Sequence, residues 1–264
     1  MEDTQTRISE EIQRMAVKMI AVNPAGEGMC LIGGFRYRLL DDSCRRSLDI
    51  HYHWSGVLEQ KQAAVITLFR KKLLPLIRER TGYEGSVNAA TGPDAESPAV
   101  STVELAVWRK DGPLGRITVP VDITRISCID KPIVRTVDGV VYLSASDADM
   151  VESKVIAIMA RLYLEDRDIM DIFLFHDKFA VDSGKRVGRK LKRLRLTRDH
   201  VALVLKKLAV DRESHIRNLG NIVKEQMDPT PAASIRKAGG AAMIFDRVLE
   251  LLEWVCGFEK ERFR

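Results

Sequence analysis

Cysteine is scarce in this chain and dispersed. The four thiols, Cys30, Cys44, Cys128 and Cys256, lie far apart and form no C-x-x-C pair. Neither a zinc ribbon nor a disulfide framework is therefore expected, and a reducing cytoplasm suits the chain. No apolar run approaches the ~20 residues that a membrane-spanning helix needs. The first residues, MEDTQTR, are acidic and polar, so no secretory leader is expected either. There is no internal repeat, and the phosphate-loop pattern G-x-x-x-x-G-K-S/T does not occur. What remains is an ordinary globular composition. The chain has 264 residues, 45% of them hydrophobic, and a formal net charge of +5. That length suits one large domain or two small ones, and the mild basic excess favours an anionic partner.

Residues 31–54, LIGGFRYRLLDDSCRRSLDIHYHW, organise the reading. They read as a strand ending in a Gly-Gly turn, a short basic helix and a second strand. Within SLDIHYHW the side chains alternate. Leu48, Ile50, Tyr52 and Trp54 take one face, and Ser47, Asp49, His51 and His53 take the other. The apolar set faces a core. The polar set is either a solvated face or a place where carboxylate and imidazole converge on metal or phosphate. Bare backbone at Gly33 and Gly34 lets a ligand approach closely.

A second strand of the same kind follows in RITVPVDITRI. Ile117, Val119, Val121 and Ile123 share one face, and Thr118, Pro120, Asp122 and Thr124 the other. If the two strands are neighbours in one sheet, Asp49 and Asp122 meet on one polar surface, where hard oxygen ligands bind magnesium or manganese. Around these strands the periodicity predicts a helix over 8–22 and a long helix over 57–80, capped by Ser55 and kinked at Pro75. It also predicts a Gly/Pro/Ser-rich loop over 81–99 and strands over 103–109 and 116–126 joined by a turn at 110–115.

From about residue 145 strand signals stop. The expected organisation is an α/β domain over 1–145 and a helical domain over 146–264. Helices are read over 148–164, 167–175, 199–210, 212–227 and 241–257, with Pro229 and Pro231 breaking the run. Lys154 and Arg161 share a helix face, as do Asp168 and Asp171. Residues 184–198, GKRVGRKLKRLRLTR, carry eight Lys or Arg and no acid. Arg189, Lys190, Lys192 and Arg193 are the expected grip on a nucleic-acid backbone, and a solvated helix face is the plain alternative.

In order, the motifs are Gly33-Gly34, Arg46-Ser47-Leu48-Asp49, Val121-Asp122-Ile123, Glu152-Ser153-Lys154 and Arg167-Asp168-Ile169-Met170-Asp171. This series resembles the nucleotidyltransferases of the AbiEii/AbiGii toxin family, in the polymerase-beta-like nucleotidyltransferase superfamily, over residues 10–180. The resemblance implies an α+β fold, a mixed-sheet nucleotidyltransferase core followed by an all-helical C-terminal half. It implies transfer of a nucleotide from an NTP to an RNA acceptor, tRNA foremost, with magnesium or manganese as cofactor, and a cognate antitoxin as partner in a toxin–antitoxin or phage-defence system. By the same resemblance Asp49 holds the metal with His51 and Asp122. Ser47, Gly33 and Gly34 contact phosphate, and Asp122 helps deprotonate the acceptor. Lys154 neutralises phosphate charge, and Asp171 orients Lys154 or the nucleotide. Two positions depart from the family pattern. His51 stands where the second Asp is usual, and Phe35 where Ser or Thr follows Gly-Gly. Imidazole suits manganese, nickel or zinc better than magnesium. The alternatives are a binding member of the fold without chemistry, or an adenylyltransferase acting on protein.

Overall fold

A computed structural model of the chain describes residues 2–90, 100–109 and 115–257. The chain divides into two compact units, 1–126 with 132–145, and 127–131 with 146–264.

The first unit is built on a mixed sheet. Its elements are α1 (Glu2–Ala21), β1 (Cys30–Ile32), α2 (Gly33–Leu40), β2 (Ile50–His53), α3 (Leu58–Leu68), a π-helical turn (Phe69–Leu73), α4 (Leu74–Thr81), β3 (Glu84–Ala89), β4 (Val100–Trp108), β5 (Ile117–Thr124), β6 (Ile133–Val137) and β7 (Val140–Ser144). The strand order is β3-β4-β5-β2-β1-β7-β6. β2 runs parallel to β5 and β1 parallel to β7, while the other pairs are antiparallel. One apolar face carries the core. Ile50 and Tyr52 of β2 and Val119, Val121 and Ile123 of β5 are buried there with Ile12, Ala16 and Ile20 of α1. The three α1 residues recur every four positions, which puts them on one stripe of the helix. Within β2 and β5 the alternation decides which side chains face away from the core; Leu48, expected on the core face, precedes β2 and is 57% exposed.

Several local expectations are corrected. The cap of α3 is not Ser55, because the helix begins only after Val57. Residues 54–56 instead form a packed turn. A Cβ at Gly56 would come within 2.7–2.8 Å of the Trp54 indole, on which the Lys61 ammonium sits 3.9 Å from the ring centre. Pro75 does not kink a single helix. It has no N–H to offer the carbonyl four residues back, and the ladder widens into the π turn just before it.

The region read as loop over 81–99 holds strand β3, which pairs with β4 from Glu84↔Trp108 to Ala89↔Val103. Residues 91–99 of that loop and 110–114 of the expected turn lie outside the described residues. The hairpin β6–β7 adds two further strands. Its turn is Asp138-Gly139, with φ of +50° and +72°, the left-handed pair that a tight two-residue hairpin requires.

The second unit is helical among the described residues: α5 (Asp147–Ala160), α6 (Asp166–Leu174), α7 (Ser183–Arg193), α8 (Arg198–Val210), α9 (Arg212–Glu225), α10 (Pro229–Lys237) and α11 (Gly240–Val255). Ser146 caps α5, its hydroxyl accepting from the Asp149 N–H. Pro229 begins α10 rather than ending a helix, since the first turn needs no N–H there. Ile244, Phe245, Val248, Leu251, Leu252 and Val255 of α11 form its buried stripe.

Candidate active site

Register sets the geometry in the first unit. The parallel pairing of β2 with β5 places His51 opposite Asp122. Asp49 stands one residue before β2. His51 Nε2 lies 3.3 Å from Asp49 Oδ2 and 3.4 Å from Asp122 Oδ2. Both carboxylates therefore share contact with one imidazole. Each is also held at its other oxygen by a hydroxyl. Ser47 Oγ donates to Asp49 Oδ1 at 2.9 Å, and Thr102 Oγ1 donates to Asp122 Oδ1 at 2.6 Å. The row runs Ser47, Asp49, His51, Asp122, Thr102 across β2, β5 and β4.

Each hydroxyl fixes one oxygen of its carboxylate, which orients the other. Ser47 is fixed in turn from below, where Gln13 Nε2 donates to its carbonyl at 2.9 Å. His53, on the same polar face, accepts from the Ile126 N–H at 3.0 Å. Burial lowers its pKa, which favours the neutral ring.

Gly33 and Gly34 open α2 beside this row. Gly33 has φ +78°, and a Cβ there would press on His51 Cβ at 3.1 Å. A Cβ at Gly34 would reach Arg45 Nη2 at 2.5 Å and Ser47 Oγ at 2.8 Å. The structure thus brings Gly33, Gly34, Ser47, Asp49, His51 and Asp122 together, and adds Thr102 and Arg45. Thr102 lies outside the strand expected over 103–109, because β4 begins already at Val100.

The donor set is mixed, two carboxylates and an imidazole, and the imidazole contacts both carboxylates directly. Among the described residues no group of three or more His, Cys, Asp or Glu side chains is arranged to hold a metal ion. The magnesium or manganese implied by the resemblance thus finds no ready-made cage in Asp49, His51 and Asp122. A ring nitrogen stands where the resemblance expects a second carboxylate.

The second unit carries two charged clusters. In the first, Lys154 Nζ lies 2.8 Å from Asp168 Oδ1 and 2.8 Å from Asp171 Oδ2. Arg161 Nη1 takes the other oxygen of Asp168 at 2.8 Å. Asp171 therefore holds Lys154, and Asp168 is a second, unanticipated partner. Arg167, four residues before Asp171, pairs with Glu165 at 2.7 Å.

The second cluster corrects the reading of the basic segment. Arg189, Lys192 and Arg193 are exposed, but Lys190 is 1% exposed. Its ammonium lies 2.7 Å from Asp149 Oδ1 and 2.7 Å from Glu152 Oε2. Arg186, one turn earlier on α7, reaches Glu152 at 2.6 Å and Asp130 at 2.8 Å. Spacing explains the split, because 186 and 190 share the inner stripe of α7 while 185, 189, 192 and 193 share the outer one. Lys190 is a structural cation, not part of a nucleic-acid grip. The Arg186 guanidinium, with the Ser146 hydroxyl, holds the Asp130 carboxyl down at about 2.

No protein-family model matches the chain, and no curated protein matches it. Solved structures do. JHP933 from Helicobacter pylori superposes with a TM-score of 0.51 at 16% identity, covering 95% of this chain and 94% of that one. A second H. pylori protein, provisionally named a nucleotidyltransferase, gives 0.54 at 16% identity over 97% and 99%. The nucleotidyltransferase toxin MenT4 from Mycobacterium tuberculosis gives 0.52 at 14% identity over 98% and 95%. At such identities the likeness is one of fold, and it extends over nearly the whole of each chain. Among the described residues no helix is long and apolar enough to cross a membrane.

Proposed function

We propose that the chain is a nucleotidyltransferase that moves a nucleoside monophosphate from an NTP onto an RNA acceptor, tRNA foremost, as the toxin of a toxin–antitoxin pair. The observation that carries this reading is the meeting of Asp49, just before β2, and Asp122, on the adjacent parallel β5, at one imidazole. It is supported by a fold shared with MenT4, named a nucleotidyltransferase toxin.

In the proposed reaction the acceptor oxygen attacks the α-phosphorus, its bond to the bridging oxygen breaks, and pyrophosphate leaves. Asp122 takes the acceptor's proton. Thr102 holds one oxygen of that carboxylate, so the other is presented in a fixed direction. Ser47 and the amides of Gly33 and Gly34 are the proposed phosphate contacts. Asp168 and Asp171 fix the Lys154 ammonium, and Lys154 is proposed as the cation that offsets phosphate charge. The exposed Arg189, Lys192 and Arg193 are proposed to hold the RNA backbone. A divalent ion, magnesium or manganese, would supply further charge neutralisation when bound, and no step above depends on it.

The test is incubation with each of four α-labelled NTPs and total tRNA, in magnesium, in manganese and in EDTA. Label on RNA in any arm supports transfer. Label on protein instead would favour a protein acceptor. Nucleotide binding with no label anywhere would favour the second reading, a binding member without chemistry. The direct contact of His51 with both carboxylates is the observation on its side.

A further inference from the structure

Leu162 and Tyr163 are chain neighbours that stand in solvent, 90% and 85% exposed. They occupy the short connection between α5, which carries Lys154, and α6, which carries Asp168 and Asp171. That connection is firmly held on both sides of the pair. The Arg161 N–H donates to the Ala157 carbonyl at 3.1 Å, and Arg161 Nη1 reaches Asp168 Oδ2 at 2.8 Å. The Asp168 N–H donates to the Glu165 carbonyl at 2.8 Å. Asp166, the first residue of α6, is gripped from α9. His215 Nδ1 lies 2.6 Å from one of its oxygens, and Asn218 Nδ2 donates to the other at 2.8 Å. An aromatic ring is thus presented on a fixed base, where little ordering entropy remains to be lost on binding.

The surroundings of the ring carry positive charge. Asp168 gives its other oxygen to Lys154 at 2.8 Å. One carboxylate therefore joins the guanidinium of this connection to the ammonium proposed to offset phosphate charge. His200 Nε2 lies 2.7 Å from the Met159 carbonyl, which brings the start of α8 to the end of α5. The exposed Arg195 and Arg198 lie on either side of Thr197, the cap of α8.

We infer that Tyr163 is an RNA-binding residue whose ring stacks on an unpaired base of the acceptor. The inference rests on the RNA-acceptor reading and adds to it the form of the RNA, single-stranded where it meets this connection. Two adjacent side chains are too small for a stable protein interface, which buries about 800 Å² on each partner. A single base needs one flat ring with cations near it, and every base has a face to offer. A duplex keeps its bases stacked inside and offers none.

The experiment titrates short single-stranded oligoribonucleotides, and a duplex of the same length, against the full chain and against Y163A, Y163F and Y163W from 50 to 200 mM salt. Each variant is expected to melt with wild type, since the side chain is exposed. Y163A should lose about 5- to 150-fold of single-strand affinity, the worth of one stacked base. Its log–log salt slope should stay that of wild type, because stacking releases no counterion. Duplex affinity should be unchanged, and Y163F and Y163W should bind single strands as wild type does. Wild-type single-strand affinity in Y163A would leave the connection to a protein partner and overturn the inference. A flattened salt slope in Y163A, or a Y163F protein as weak as Y163A, would also overturn it. In each of those cases label transfer to RNA would still stand. A wild-type chain that binds no RNA would overturn both the inference and the RNA-acceptor reading.

Discussion

Lys190→Met is the substitution that most sharply separates a structural from a nucleic-acid role for the basic segment. Lys190 sits 2.7 Å from each of two carboxylates, Asp149 and Glu152, both wholly buried. Arg186 is the second cation of that cluster and contacts both acids. Methionine keeps the length of the side chain and its apolar stem but removes the charge. Two buried carboxylates then share one guanidinium. Breaking a buried ion pair from one side costs about 3–5 kcal/mol. For a unit of this size that corresponds to a fall in melting temperature of roughly 10–20 °C. The outer cations behave differently. Lys192→Met should change stability by no more than about 0.5 kcal/mol. Replacing Arg189, Lys192 and Arg193 together removes three phosphate contacts, which flattens the log–log salt slope of RNA binding by about 2–2.7. The assays are calorimetric melting and RNA titration from 50 to 200 mM salt. A Lys190→Met protein that melts with wild type and loses RNA affinity in proportion to salt would refute the assignment.

Other outcomes follow from the same geometry. Thr102→Val removes the hydroxyl that fixes Asp122, so kcat should fall about 10-fold with little change in KM, in steady-state transfer assays. His51→Asp replaces the imidazole that contacts both carboxylates; manganese binding read by electron paramagnetic resonance should tighten, and unchanged binding would argue against the ring as the obstacle. Gly33→Ala forces a side chain into a left-handed backbone and against His51 Cβ; a loss of about 1–3 kcal/mol in denaturant unfolding is expected. Asp130 has its pKa depressed from 3.8 to about 2, first by its hydrogen bond from Arg186. The stability it contributes is therefore present above pH ~4 and lost as pH falls toward ~2. In acid unfolding curves, Asp130→Asn should differ from wild type above pH ~4 and converge with it near pH 2.

Much of this was legible in the sequence, for reasons that can be named. β2 and β5 each keep a strict apolar–polar alternation, so the face carrying Asp49, His51 and Asp122 was readable before any neighbour was known. Helices α1, α5, α9 and α11 have apolar stripes that only a helical period explains. β3 was not legible. Gly85, Ser86 and Asn88 have little strand preference, and pairing with β4 along its whole length makes the strand. The β6–β7 hairpin does carry a sequence signal, Asp138-Gly139 between alternating segments, which is a strong turn pair. The split of the basic helix into inner and outer cations needed the acids of α5, which are 34 or more positions away in sequence. Thr102 needed the fold, since a lone threonine announces nothing by spacing.

In the proposed transfer Asp122 takes the acceptor's proton, and Asp49 shares with it the one imidazole, His51, that both carboxylates contact. The most direct measurement is single-turnover transfer of α-labelled nucleotide to tRNA by wild type, Asp49→Asn and Asp122→Asn at matched protein stability. Wild type is expected to label the RNA, and each variant to lose at least about 100-fold of the rate while still folding. Transfer by either variant at the wild-type rate would contradict it.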